Sequence, residues 1–126
     1  MPPTVRWYDD AKTITCIEFN GIFTVAEVFE AWQREFDLMR CVSYPIYSFN
    51  IFNTPQVVRK DISVSKLREY IVNNPMPHLQ MTVQVAENSI LRTFLKTLSR
   101  TMPHEVHVVS TVDEGLAIIE NHRNRP

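Results

Sequence analysis

Apolar and β-branched residues are concentrated over residues 5–8 and 13–19, on either side of a polar turn at Asp9, Asp10, Ala11 and Lys12, which predicts an N-terminal hairpin. Asn20-Gly21 ends its second strand. Thr24 followed three residues later by Glu27 is a capping-box signature. Val25, Val28, Phe29, Trp32, Phe36 and Met39 then recur at helical spacing, predicting an amphipathic helix over 24–40 with Trp32 in the core. Residues 46–52 are aromatic and β-branched, apolar on both alternating faces except at Ser48 and Asn50, and predict a central strand. Thr54-Pro55 breaks that strand.

A second helix over 62–72 follows, its start falling between Asp61 and Ser65 and its inward face formed by Val64, Leu67, Tyr70 and Ile71. The run Asn73-Asn74-Pro75-Met76-Pro77 stops it, and residues 79–86 form the next strand. Asn88 caps a helix over 89–102 whose stripe is Ile90, Leu91, Phe94, Leu95, Leu98 and Met102. Residues 105–109 supply a last strand. Thr111 with Glu114 is a second capping box, opening a helix over 111–121 through Leu116 and Ile119. Strands alternating with helices imply parallel crossovers of one hand. The expected fold is therefore α/β, one domain over 1–126, with a single mixed, mostly parallel four- to five-stranded sheet in the order ββαβαβαβα and helices packed largely on one face.

Composition narrows the class. With 126 residues, 44% of them apolar, the chain can bury a core without metals or disulfides. A net charge of −1 lacks the basic excess of a nucleic-acid binder, so no nucleic-acid partner is expected. Charge is nevertheless uneven: residues 51–104 carry seven Lys/Arg against three Asp/Glu, the reverse of the first fifty. Solvated helix faces account for that imbalance. Cys16 and Cys41 form no CxxC pair or disulfide framework, no apolar run is long enough to span a bilayer, and Met1-Pro2-Pro3 opens no signal peptide. These features predict a cytoplasmic protein without a membrane span.

Candidate chemistry is sparse. His104 and His107 fall on opposite faces of a strand, so no metal site is expected, and Gly21 and Gly115 are too few for any phosphate-cradling loop, so no cofactor is expected either. No GxSxG elbow is present. Asp9-Asp10 and Asp113-Glu114 are explained by a turn and a first helical turn. Asn50 and Asn53 lie near the carboxyl end of the central strand, where open α/β sheets place ligand crevices, and they are the candidate crevice residues.

The order of elements, the opening Val5-Arg6-Trp7-Tyr8-Asp9, the Ile22-Phe23-Thr24 approach to the first helix and the stretch Ile90-Leu91-Arg92-Thr93-Phe94 resemble the SpoIIAA-like and STAS-like superfamily. Within it, the chain looks like small stand-alone bacterial proteins with no assigned activity. The best-known members are anti-sigma factor antagonists, and the resemblance implies a non-enzymatic regulatory module that docks a protein partner and is switched by phosphorylation of a serine at the start of the second helix. The corresponding region here is Arg59-Lys60-Asp61-Ile62-Ser63-Val64-Ser65, without the glycine of the family turn, so Arg59, Lys60, Asp61, Ser63 and Ser65 are the candidate switch and docking residues. Helix capping by Asp61, Ser63 or Ser65 explains the same residues more simply. A small carrier of an apolar ligand or lipid, its site drawn from the aromatic residues, is the second expectation and an unrecognised enzyme the third. The aromatic content also favours a C2 homodimer.

Overall fold

The computed structural model describes residues 3–53 and 63–125. Five strands, β1 (Thr4–Trp7), β2 (Ile14–Asn20), β3 (Ile46–Asn53), β4 (Leu79–Ala86) and β5 (Val106–Val109), form one sheet in sequential order. The first pair is antiparallel and the other three are parallel. Four helices complete the described residues: α1 (Val25–Met39), α2 (Val64–Asn73), α3 (Ser89–Ser99) and α4 (Val112–Arg123). This is the expected mixed, mostly parallel α/β sheet, with β3 at its centre.

Sequential order has a geometric consequence. Each parallel crossover steps one strand further in the same direction, so crossovers of one hand deposit their helices on one face. Accordingly Val28, Trp32 and Phe36 of α1, Leu67 of α2 and Leu98 of α3 share a buried cluster with Ile17, Phe19 and Ile46. Among the described residues no strand lies beyond the edge strand β5, and α4 folds back over the opposite face, where Ile119 packs with Tyr47, Phe49, Met81 and Val83. Gly115 permits that approach, because a Cβ there would lie 2.6 Å from Phe49 Cε1 and 2.9 Å from Val83 Cγ1.

Local signals set most element starts. Glu27 N–H donates to Thr24 Oγ1 (3.1 Å) and Thr24 N–H to Glu27 Oε1 (2.9 Å), completing the first capping box. Asn88 Oδ1 accepts from Ile90 and Leu91 N–H. Of the expected second box only half forms: Glu114 N–H donates to Thr111 Oγ1 (3.2 Å), while the Glu114 carboxylate takes the Ser110 hydroxyl (2.6 Å) in preference to returning to the Thr111 backbone. In the hairpin turn Asp9 Oδ1 accepts from the Thr13 and Ile14 N–H groups.

Three expectations require correction. The third helix ends at Ser99, not at 102. Ile90, placed on its inner stripe, is 63% exposed, because the stripe begins to face the sheet only one residue later at Leu91. On α1 the buried face includes Glu35 beside Ala31, Trp32 and Phe36. Among the described residues no helix is long and apolar enough to cross a membrane.

Candidate functional site

Strands β3 and β4 are covered on both faces, a position normally filled by apolar residues on both sides. One face conforms, with Tyr47, Phe49, Ile51, Met81, Val83 and Val85 beneath α4. The other does not. Ser48, Asn50, Thr82 and Gln84 all face the layer of α1, α2 and α3 and all are buried, as is Thr15 on β2. Strand register arranges them in rows: Thr15 pairs with Ser48 and Ser48 with Thr82, while Asn50 pairs with Gln84. Adjacent members of a row sit on neighbouring strands about 4.8 Å apart. Apolar residues flank this polar band on the same face, with Ile46 and Leu79 on one side and Phe19, Phe52 and Ala86 on the other.

Glu35 reaches the band from α1. Its Oε2 accepts hydrogen bonds from Ser48 Oγ (2.6 Å) and Thr15 Oγ1 (2.9 Å). No described donor reaches Oε1. Burial is the dominant influence and pushes the carboxyl up to about 7, against the two hydroxyl bonds that favour the carboxylate. At the other end of the band His104 Nε2 lies 2.9 Å from Thr82 Oγ1. Burial lowers the His104 pKa and so favours a neutral ring there.

Between band and helices lies a cavity of about 300 Å³. Its apolar walls come from Trp32 and Phe36 on α1, Ile71 on α2, Leu98 on α3, and Met76 and Met102 in the connecting segments. Its polar surface comes from Glu35, Asn50, Thr82, Gln84 and His104, together with Asn74 at the end of α2. A smaller hollow of about 50 Å³ continues past Asn50 and Gln84 toward Phe52 and Leu95. α2 closes the large cavity through its aromatic contact with α1, where Tyr70 stacks on Phe29 (4.8 Å) and Phe36 (6.0 Å), and through Arg68 Nε, which donates to Thr101 O (2.8 Å).

The two carboxamides are the anomaly of the site. Asn50 Oδ1 and Gln84 Oε1 are fully buried and have no hydrogen-bond partner. Each such group costs about 1–3 kcal/mol of stability. An apolar cleft with convergent acceptors, donors and one titratable acid is suited to recognising a small molecule with an apolar body and a polar head.

Of the crevice residues expected from sequence, the structure places only Asn50 in this cavity. Asn53 is exposed at the end of β3, where its Nδ2 donates to Asn20 Oδ1 (3.2 Å), and it borders a separate concavity of about 600 Å³ with Asn88 and Thr111. Ser63 is the N-cap of α2, its Oγ accepting from Lys66 N–H (3.4 Å), and Ser65 is exposed on the first turn. Arg59, Lys60 and Asp61 lie outside the described residues.

The remaining site candidates have local roles. His104 belongs to the cavity, whereas His107 pairs with Glu105 (2.6 Å). Among the described residues no three His, Cys, Asp or Glu side chains are grouped to hold a metal ion. Cys16 is buried in β2, where burial raises its thiol pKa to about 11.

Glu35, Thr82, Gln84 and His104 were not singled out from sequence as part of a ligand site. A signal for Glu35 did exist: residues 28, 31, 32, 35, 36 and 39 fall on one helical face, so an acid at 35 interrupts an apolar stripe. No known family model, curated protein or solved structure matches this chain.

Proposed function

We propose that this protein is a non-catalytic small-molecule-binding domain whose ligand occupies the cleft between the sheet and helices α1 to α3. One observation carries the proposal: Asn50 and Gln84, neighbours across β3 and β4, line a largely apolar cavity and keep buried carboxamide oxygens without partners. Stability does not explain them, since apolar side chains of similar size there would remove two unsatisfied groups. A ligand that hydrogen-bonds both carboxamides and fills the space against Trp32, Phe36 and Leu98 explains both the polarity and the volume. The interaction-module alternative has less to stand on among the described residues, because capping alone accounts for Ser63.

Fragment screening by ¹⁵N–¹H correlation spectroscopy tests the proposal. Binding fragments should move the side-chain amide signals of Asn50 and Gln84 and the indole N–H of Trp32 together. Fragments that shift only residues remote from the cleft would refute it.

A further inference from the structure

Building on that proposed site, we infer that its ligand carries a protonated amine and that Glu35 is its counter-ion. Among the described residues the cavity is lined by no Lys or Arg, and the only titratable side chains there are Glu35 and His104. No described element packed around Glu35 brings a charge that answers it. β2 offers the Thr15 hydroxyl and β3 the Ser48 hydroxyl; β4 offers Thr82, which bonds His104. From the helices, α2 contributes Ile71 and α3 contributes Leu98. Cys16 is within electrostatic range of Glu35, but on the opposite face of β2 and as a neutral thiol. Among the described residues the carboxyl therefore meets hydroxyl dipoles and no cation, and both dipoles are spent on Oε2.

A cation entering the cleft changes that balance. An ammonium group has three donors and no acceptor, matching Glu35 Oε1, which no described donor reaches. Trp32 and Phe36 line the same space, and aromatic rings favour a positive charge over a negative one. A carboxylate ligand would stand beside Glu35 with no cation among the described residues to share, and an alcohol would leave the acid without a counter-charge.

Binding of the cation requires the carboxylate, so the acid must release a proton wherever it is protonated in the empty protein. With burial holding Glu35 near 7, affinity for an amine should fall as pH drops below neutrality. Protonation of His104 would act in the same direction. Replacing Glu35 separates the two contributions, because any pH dependence left in the variant belongs to the histidine.

The test compares 2-phenylethylamine, 2-phenylethanol and phenylacetate, which share an aromatic body and differ in the head group. Each is titrated into the wild type and Glu35→Gln at pH 7.5 and 5.5, and read by amide shifts and calorimetry. The amine should bind the wild type at pH 7.5 at least about tenfold more tightly than the alcohol, with phenylacetate weakest. At pH 5.5 the amine should lose about tenfold, and Glu35→Gln should bring it to the affinity of the alcohol. Equal affinities of amine and alcohol for the wild type, with shifts at Asn50 and Gln84, would overturn the counter-ion role and leave the cavity as a binding site. No shift at those residues with any of the three would overturn both. If Glu35→Gln fails to fold, the wild-type comparison and its pH dependence still decide.

Discussion

Substituting Glu35 with glutamine should make the protein more stable at pH 8 and leave it nearly unchanged at pH 5. The carboxyl is buried, with its pKa raised from 4.5 to about 7. An acid raised in this way binds more protons folded than unfolded between those two values. Stability is thus lost as pH climbs from about 4.5 toward 7, and the loss persists above. At about 1.4 kcal/mol per pH unit, the full penalty is on the order of 3 kcal/mol. Glutamine is neutral throughout, and its side-chain oxygen can keep accepting from Thr15 and Ser48, so the hydroxyl bonds survive. The wild type and variant should therefore diverge by about 3 kcal/mol across this window, or roughly 10 °C in Tm for a domain of this size.

Other groups slope the opposite way. His104, with its pKa lowered, and Asp9, held below the usual carboxylate range by its bonds to Thr13 and Ile14, both favour the fold as pH rises. The difference between the two proteins is consequently the readout, since those contributions cancel in it. Urea denaturation at pH 5, 6, 7 and 8 would measure it. A wild-type minus variant difference that stays constant across the series would refute the buried-acid assignment.

Other substitutions and reagents probe the scaffold. Gly115→Ala places a Cβ against Phe49 and Val83 at distances of 2.6 and 2.9 Å and should lower stability by about 1–3 kcal/mol in chemical denaturation; an unchanged midpoint would mean that α4 lies further from the sheet. Cys41 is exposed and Cys16 buried, with the Cys16 thiol pKa raised to about 11. Iodoacetamide at pH 7.5 should therefore add one label to the native protein and two to the denatured one, as counted by intact mass. Two labels on the native fold would place Cys16 wrongly.

The scaffold was legible in the sequence because its signals are local. Thr24 with Glu27, Asn88, and the apolar stripe through Trp32 and Phe36 act within a few residues, and they fix α1 and α3 before any tertiary contact is known. The site was only partly legible because it is assembled across elements. Asn50 was visible as a polar break in an apolar strand. Gln84 was not, since the alternation in Leu79–Ala86 reads equally as a strand with one wet face, and only the covering helices turn that face into an interior. His104 precedes β5 and meets Thr82 through the parallel pairing of β4 with β5, a contact that no local spacing announces.

On the proposed function, the carboxamides of Asn50 and Gln84 serve a ligand and not the fold. The double variant Asn50→Leu, Gln84→Met keeps the branching or length of each side chain while removing both unpartnered oxygens. Its guanidinium denaturation curve, measured beside that of the wild type without ligand, tests the claim most directly. The expected result is a gain of about 2–4 kcal/mol, the sum of two relieved buried polar groups after some loss in packing. A variant less stable than the wild type would show that the two carboxamides support the fold, and would contradict the binding site built on them.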